Sequence, residues 1–469
     1  MRTSTMRKVL FLVFVLLLAG MPFATFAQDM TPMVSVQDQV SLDGTVTIDA
    51  VYSAAPGFVV IHIDNGGSPG PVAGVAAVAT GLTTNLRIPI DTSLATPMMF
   101  AMLHEDTGAA GVYEFGTVDG ADLPVSVDGN VVTPAFNAQI VRAHDQFVSE
   151  MGSVTIASVV TDAAGWLVIH ADNMGTPGPV LGQTLVNAGS NTDVVVELAA
   201  EGRTDILYPM LHVDTGAAGV YEFGTVTGAD GPVVVNGVVA TFPISTVPAV
   251  RASSQLVITG DMGRMIVIES VLSEGPGWLV IHSDNAGSPG PVLAAAAVEN
   301  GTTTDLMVHF EDSVELTPVV WPMLHVDTGV VGEYEFGTVE GADAPVSVGG
   351  SVVTFPISIA PSITVSDGAV TDGVLVIDEV VSEVPGWLVI HSGDSGSPGP
   401  VLGQTQVNAG VTYNVRVAVD AAAAGALVFP MLHVDTGTAG VYEFGTVEGA
   451  DAPVSVGGNV VVVPMALTQ

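Results

Sequence analysis

Short runs of apolar and β-branched residues alternate with turn-forming residues along most of the chain. Between residues 153 and 242 the runs read "SVTIASVV", "GWLVIHAD", "PVLGQTLVNA", "TDVVVELAA", "ILYPMLHVD", "VYEFGTV" and "PVVVNGVVATF", separated by Gly, Pro, Asn and Asp. Runs of this length and composition predict β-strands, and none of them has the 3.6-residue period of an amphipathic helix. About seven strands in about 110 residues are typical of an immunoglobulin-like β-sandwich.

The same pattern occurs four times. The stretch "GFVVIHIDNGGSPGPV" from Gly57 recurs in similar form from Gly165, Gly277 and Gly386, and a second stretch, "MLHEDTGAAGVYEFGTVDGAD" from Met102, recurs in step with it. The spacings of 108, 112 and 109 residues match one small domain rather than a solenoid repeat. The sequence therefore predicts an all-β protein of four tandem immunoglobulin-like β-sandwich domains after a signal peptide, with the signal peptide at 1–27 and the domains at 28–138, 139–247, 248–360 and 361–469.

The first residues have the layout of a secretory signal peptide. Arg2, Arg7 and Lys8 precede an apolar run of 12 residues, and small residues follow up to Ala27. This layout predicts cleavage before Gln28 and an extracellular or cell-surface protein. The apolar run is shorter than the roughly 20 residues that a spanning helix needs, so we expect no transmembrane segment in the mature chain.

Charge and cysteine content exclude several classes of function. The chain has 48 acidic and 9 basic residues, a formal net charge of −39, and no cysteine. Disulfides, thiolate metal sites and cysteine nucleophiles are therefore excluded. The negative field repels nucleic acid, while a hydrophobic content of 48% indicates folded domains rather than a disordered acidic tail. We expect the partner to be an unidentified protein or glycan at the cell envelope, and not a nucleic acid.

The joints between the repeats contain proline. They read "TPAFNAQIVRAHDQ", "TFPISTVPAVRASSQ" and "TFPISIAPSITVSDG". Such segments are short and rich in β-forming residues, so they are not loose tethers. We expect the four domains to form a semi-rigid rod.

The stretch "HVDTGAAGVYEFG" in the second repeat predicts a β-hairpin whose loop is centred near Ala217. In that hairpin His212 faces Glu222 across the ladder. A carboxylate beside an imidazole raises its pKa, and a structural ion pair is the simplest interpretation. The same offset gives the pairs His104–Glu114, His325–Glu335 and His433–Glu443.

Three carboxylates per repeat keep a spacing of eight residues and form a candidate calcium site. The aspartates of "DTG" and "GAD" lie in glycine-rich turns that could converge at one end of the sandwich and offer oxygen ligands. The alternative is that they bond to backbone amides in Asx-type turns. The candidate residues are Asp106, Glu114, Asp122, Asp214, Glu222, Asp230, Asp327, Glu335, Asp343, Asp435, Glu443 and Asp451.

Histidine and methionine form a second candidate metal site. Met210 and His212 are two residues apart in a predicted strand and so point to one side, and His170 lies on another strand. Two histidines and a methionine are possible copper ligands, whereas ordinary core packing of the methionine is the alternative. The eight recurring histidines, with a structural or a copper-binding role, are His62, His104, His170, His212, His282, His325, His391 and His433.

Catalytic motifs do not stand out. The sequence has no nucleophile elbow, phosphate-binding loop or zinc-protease helix, and four equal copies favour multivalent binding over a single active site. We therefore expect a non-enzymatic exported scaffold with a structural, adhesive or envelope-associated role. The alternative is an exported metal-binding protein, for which calcium is the ion suggested ahead of copper; no cofactor is otherwise required.

The segments "GWLVIH", "PGPVLGQT" and "LYPMLHVDTGAAGVYEFGTVTGADGPV" resemble a β-sandwich domain of unknown function from secreted and surface proteins of haloarchaea and some bacteria. The resemblance covers all four repeats. It implies an exported, non-enzymatic module and supplies no ligand. This chain has Gly where that family has Asn after "DT", and it has fewer acids there, which weakens the case for calcium.

Overall fold

The computed structural model describes residues 31–260, 262–393 and 396–468, and within them the protein is entirely β-structure. The predicted signal peptide at 1–27 lies outside the described residues. The described residues contain no helix that could span a membrane. Four immunoglobulin-like β-sandwich domains follow one another along the chain, as the repeats predict.

The first two domains share one strand. The strands of the first are β1 (Met33–Ser35), β2 (Gln39–Ser41), β3 (Thr45–Ser53), β4 (Gly57–Asp64), β5 (Pro69–Val78), β6 (Gly81–Pro89), β7 (Met98–Glu105), β8 (Ser126–Val127), β9 (Asn130–Val131) and β10 (Ala135–Arg142). The second domain continues with β11 (Ser153–Thr161), β12 (Gly165–Asp172), β13 (Pro177–Val186), β14 (Gly189–Glu197), β15 (Ile206–Val213), β16 (Val234–Val235), β17 (Val238–Val239) and β18 (Ile244–Ser245).

The third and fourth domains repeat this order. The third contains β19 (Ala249–Arg251), β20 (Ile258–Gly260), β21 (Gly263–Ser273), β22 (Gly277–Asp284), β23 (Pro289–Val298), β24 (Gly301–Phe310), β25 (Val319–Val326), β26 (Ser347–Val348), β27 (Ser351–Val352) and β28 (Ile357–Ser358). The fourth contains β29 (Ser362–Thr364), β30 (Val374–Ser382), β31 (Gly386–Ser392), β32 (Val401–Val407), β33 (Gly410–Ala418), β34 (Leu427–Val434), β35 (Ser455–Val456), β36 (Asn459–Val460) and β37 (Met465–Ala466).

Each domain packs two sheets face to face, with three or four strands in each; β10 joins one sheet of the first domain to one of the second, and β20 adds a fourth strand to the smaller sheet of the third. In the fourth domain the two sheets are β29-β30-β33 and β32-β31-β34-β37. The core lies between the sheets and, in the second domain, includes the fully buried side chains of Leu167, Ile169 and Leu211. No disulfide is needed because β-branched and leucine side chains fill this space in every domain.

The first and second domains are joined by a continuous strand. The start of β10 pairs with β7 of the first domain, and its end, from Ile140 to Arg142, pairs with β11 of the second. At the two later joints the corresponding strand is divided, and Pro248 or Pro361 stands in the gap. Because proline has no backbone N–H to donate, it interrupts the ladder at those joints.

The expectation of a rod is wrong, because the first domain contacts the fourth. Strand β6 lies beside β32 and β33. The amide of Asn85 donates a 2.8 Å hydrogen bond to the backbone carbonyl of Asn414, and the guanidinium carbon of Arg87 lies 4.7 Å from the ring centroid of Tyr413. The domains surround a cavity of about 560 Å³ lined by residues of all four. The spacing of the repeats carries no information about the angle between domains. It therefore could not predict that the first domain contacts the fourth.

A buried aspartate connects the second domain to the third. The Asp145 side chain is 2% exposed and accepts hydrogen bonds from Arg251 Nε at 2.7 Å and Nη2 at 2.6 Å. It also accepts the backbone N–H of Ser245, and its own carbonyl accepts the hydroxyl of Thr302. One residue therefore bonds to both flanks of the joint, which fixes the angle between these two domains.

Substituting Asn85→Asp should open the contact between the first and fourth domains. The carboxylate cannot donate to the Asn414 carbonyl and would instead place a negative charge against its oxygen. Small-angle X-ray scattering should then give a larger radius of gyration than for the unaltered protein. Asp193→Asn is the matched control, since Asp193 has the same left-handed backbone (φ 50° against 51° for Asn85) at the equivalent, exposed position of the second domain. Equal curves for all three proteins would show that this contact does not set the arrangement.

Candidate functional site

The recurring histidines lie on the two central strands of each four-stranded sheet. In the second domain β12 and β15 are antiparallel neighbours, with Trp166 opposite His212 and Val168 opposite Met210. Because side chains alternate along a strand, these four and His170 all project from the face turned away from the sandwich core. Both faces of the strands are nevertheless buried, so the outer face has a cover of its own.

The glycine that begins β12 permits this close strand pairing. A Cβ on Gly165 would lie 2.4 Å from the carbonyl oxygen of His212, far inside van der Waals contact. The equivalent glycines of the other domains meet the same restriction, with 2.3 Å for Gly57, 2.5 Å for Gly277 and 2.3 Å for Gly386. The glycine of "GWLVIH" therefore recurs for a steric reason.

The cover is the segment between β15 and β16, and it is not the predicted hairpin. The "VYEFGTV" run forms turns, in which the backbone N–H groups of Thr225 and Val226 donate to the carbonyl of Glu222. The Glu222 carboxylate accepts the N–H of Ala217 at 2.7 Å rather than facing His212. The predicted cross-strand pairs are wrong in all four domains, since the corresponding carboxylates of Glu114, Glu335 and Glu443 accept the N–H of Ala109, Val330 and Thr438.

The aspartate of "GAD" holds this covering segment together. Asp230 is fully buried and has a left-handed φ of 48°, which aspartate tolerates better than most residues. Its carboxylate accepts the N–H of Thr215 at 2.8 Å and of Glu222 at 2.5 Å. Its own N–H donates to the Thr215 hydroxyl, and its carbonyl accepts from His212. The "DTG" and "GAD" motifs are therefore two sides of one hydrogen-bonded turn.

The three carboxylates of each repeat do not converge on one point. Asp214 accepts the N–H of Gly219 at 2.9 Å. Its carboxylate therefore stabilises a different part of the segment from the carboxylates of Glu222 and Asp230. Across the ranges that the structure describes, no group of three or more His, Asp or Glu side chains is placed to hold a metal ion. The Asx-turn interpretation fits this geometry. The calcium site stays a prediction from the sequence, and this geometry does not support it.

The two histidines of each domain do come together. In the second domain His170 Nδ1 lies 2.7 Å from the carbonyl oxygen of Gly178, and His212 Nδ1 lies 2.6 Å from that of Asp230. A carbonyl oxygen only accepts, so both Nδ1 atoms carry the proton and both Nε2 atoms present a lone pair. The Nε2 atoms are 3.3 Å apart, and the sulfur of Met210 lies 3.2 Å from His212 Nε2.

The other domains have the same arrangement with slightly wider spacing. Ring centroids of the paired histidines are 5.4 Å apart in the second domain and 6.0, 5.7 and 5.9 Å apart in the first, third and fourth. In those three, the Nε2 atoms are buried and have no hydrogen-bond partner among the described residues. These atoms belong to His62, His104, His282, His325, His391 and His433.

Aromatic side chains of the covering segment complete the enclosure. The rings of Phe223 and His212 meet edge to face with centroids 4.8 Å apart, and Tyr221 packs against Trp166 at 5.3 Å. Phe223 is 37% exposed, so it separates the histidines from water. Their role was not predictable from strand periodicity, although the alternating Tyr and Phe of "VYEFG" recur in every repeat.

We call this set the histidine–methionine pocket: His170, Met210, His212, Tyr221 and Phe223 in the second domain, with its equivalents elsewhere. The corresponding residues are His62, Met102, His104, Tyr113 and Phe115; His282, Met323, His325, Tyr334 and Phe336; and His391, Met431, His433, Tyr442 and Phe444. Its donor atoms are two imidazole nitrogens and one thioether sulfur, a set suited to a soft metal ion.

Burial lowers the pKa of five of the pocket histidines and so favours their neutral form. Removal from water lowers the pKa of His212 from its usual 6.5 to about 4, and it lowers the pKa of His170 as well. The same cause lowers the pKa of His104, His325 and His433. The predicted rise in pKa is therefore wrong, because the expected glutamate partner is elsewhere and desolvation dominates.

Comparison with known proteins identifies the repeating unit. Residues 32–139, 138–245, 249–359 and 361–468 each match the family described as "Domain of unknown function (DUF7282)". No curated protein matches the chain. Solved structures with low similarity include an alpha-2-macroglobulin of Salmonella, 11% identical with a TM-score of 0.15, covering 92% of this chain and 29% of that one. Another is the human desmocollin-1 ectodomain, 9% identical with a TM-score of 0.13, covering 93% and 79%. The chain spans under a third of the macroglobulin, and no argument about function follows from these similarities.

Acidification should destabilise the metal-free protein. Unfolded His212 binds a proton below its ordinary pKa of 6.5, whereas the folded form does so only near pH 4, so the stability present at pH 7 is lost as the pH falls between these values. From His212 alone we expect a loss of about 2 kcal/mol by pH 5. Urea unfolding followed by tryptophan fluorescence measures this, and His212→Gln should flatten the pH dependence. Stability that rises on acidification would contradict the assignment of neutral imidazoles.

Proposed function

Because the chain belongs, over nearly all of its described length, to the family of the Domain of unknown function (DUF7282), we propose that it is an exported, non-enzymatic scaffold protein of the cell envelope. Its role is structural or adhesive, and its partner is a protein or glycan outside the cell. The observation that carries the proposal is the construction of one multi-domain body from four copies of one β-sandwich.

The joints between domains favour a scaffold over a flexible string. The continuous strand β10 leaves no linker between the first two domains. The hydrogen bonds of Asp145 span the joint between the second and third domains. The hydrogen bond of Asn85 connects the first domain to the fourth. A body held at several joints presents its four equivalent surfaces at fixed separations, which favours multivalent contact with a repetitive envelope surface.

The recurring polar residues support a non-enzymatic role. The carboxylates of Asp214, Glu222 and Asp230 accept backbone hydrogen bonds within the covering segment. The histidines lie beneath aromatic rings rather than in an open cleft. A general acid or base must reach a substrate, and the histidines and Asp230 are buried.

Charge and sequence layout favour a place outside the cell. The formal net charge of −39 keeps the chain soluble and repels nucleic acid. The only lysine and two of the arginines lie in residues 1–27, the predicted signal peptide, so the mature chain is more acidic still.

Expression of the full chain in a bacterial host tests export. We expect the protein in the medium or envelope fraction with Gln28 as its first residue, as determined by mass spectrometry. A chain that lacks residues 1–27 is the control and should stay in the cytoplasm. Recovery of the full chain in the cytoplasm with Met1 still attached would contradict export.

Binding to isolated cell envelopes tests the scaffold role. The labelled mature protein should bind saturably, and the binding should persist in salt high enough to screen the general attraction of a charged surface. Protease treatment of the envelopes should abolish binding to a protein partner, and periodate treatment should abolish binding to a glycan. Absence of saturable binding to untreated envelopes would overturn the proposal.

A further inference from the structure

We propose that each histidine–methionine pocket binds one copper(I) ion, through Nε2 of both histidines and the sulfur of the methionine. In the second domain the ligands are His170, His212 and Met210. This inference is independent of the envelope role, since it concerns the interior of the domains rather than their outer surfaces.

The first argument is the presence of facing lone pairs in a buried space. Both imidazoles donate through Nδ1 to carbonyl oxygens, so the two Nε2 atoms are acceptors with no donor between them. A buried polar atom without a partner costs about 1–3 kcal/mol, and three of the domains contain two such atoms each. A gap of 3.3 Å between the nitrogens in the second domain leaves no room for a water molecule to bridge them. A metal ion satisfies both lone pairs at once.

The second argument is the spacing of the donor atoms. Imidazole nitrogens bind transition metals at about 2.0–2.1 Å, so two nitrogens on one ion lie roughly 3.3–3.6 Å apart at tetrahedral to trigonal angles. The observed separation of 3.3 Å between His170 Nε2 and His212 Nε2 falls in this range. The Met210 sulfur lies on the same side, 3.2 Å from His212 Nε2. The other two donor atoms therefore both lie within 3.3 Å of His212 Nε2.

The chemistry of the donors selects the metal. Calcium requires several oxygen ligands, and within the described ranges no carboxylate bonds to the ring nitrogens or the sulfur of the pocket. Zinc sites use thiolate, imidazole or carboxylate ligands, usually four, and the pocket offers only two imidazoles of that kind. Thioether and imidazole together favour copper(I). The three donors are all neutral, and a buried ion of charge +1 loses less hydration energy than one of charge +2.

The surrounding hydrogen bonds orient the ligands. Metal-binding histidines commonly donate their other N–H to a carbonyl or carboxylate, which fixes the ring and raises its basicity. Here the carbonyl oxygens of Gly178 and Asp230 accept these bonds. Asp230 is in turn held by Thr215 and Glu222. The "DTG" and "GAD" motifs, first considered as calcium ligands, thereby position a copper ligand.

The aromatic cover provides the route of entry. Phe223 is the part of the pocket most open to water, at 37% exposure, and its ring lies against His212. The equivalent phenylalanines, Phe115, Phe336 and Phe444, are 39%, 38% and 40% exposed. Because this ring lies between His212 and water, an ion reaches the histidine past this side chain.

Anaerobic titration of the mature four-domain protein with copper(I), in competition with a chromophoric copper(I) chelator, tests the proposal. We expect binding of one equivalent for each of the four matched domains. X-ray absorption at the copper edge should show two nitrogen neighbours and one sulfur neighbour per ion. Uptake of no copper(I) in the presence of the chelator, or an absorption spectrum without sulfur in the unaltered protein, would overturn the proposal.

The matched variants separate the pocket from the general attraction of an acidic surface. Replacing all four pocket methionines by leucine (Met102, Met210, Met323 and Met431) conserves volume, so the fold should persist. It should remove the sulfur neighbour and weaken copper(I) binding about 10- to 100-fold. Met99→Leu is the control, because Met99 is fully buried on the opposite face of β7 and contributes to the core. Unchanged affinity in the fourfold variant, or equal losses in the control, would contradict the proposed ligands.

Discussion

The hydrogen bond from His212 Nδ1 to the Asp230 carbonyl joins the covering segment to the sheet in the second domain. The second buried layer of each domain depends on this bond or on its equivalent. The segment has no regular ladder of its own, so the Asp230 carboxylate supplies the bonds that a strand partner would give. With the segment in place, Tyr221 and Phe223 cover the outer face of the sheet. A strand buried on both faces explains why "GWLVIH" is continuously apolar rather than alternating.

Three of the six arginines among the described residues lie where domains meet. Arg87, Arg142 and Arg251 line the cavity between the four domains. Arg251 bonds to the buried Asp145, and Arg87 both pairs with Asp43 and lies against Tyr413. Domains with a large like charge repel one another, so arginines at the contacts reduce the repulsion at the points where the domains must approach.

Two predictions from the sequence, the His–Glu pairs and the raised histidine pKa, were wrong for one reason. Both assumed that the strand pairing continues beyond β15. An alternating pattern extended through "VYEFG" places Glu222 opposite His212. The actual chain turns there, since the N–H groups of Thr225 and Val226 donate to the Glu222 carbonyl and Gly224 adopts a positive φ of 75°. The position of His170 relative to Met210, by contrast, was predictable. Both lie in strands of clear period, and alternation alone places them on one face.

The sequence by itself determined the number of domains, their all-β class and the strands that carry the histidines, because repetition and apolar periodicity are local properties of the chain. Only the tertiary structure decided what the recurring polar residues do. The pairing of His170 with His212 requires two strands brought side by side, and the closure of the first domain on the fourth requires bonds between residues more than 300 positions apart. Such contacts depend on the angles between elements and between domains, which no local pattern records.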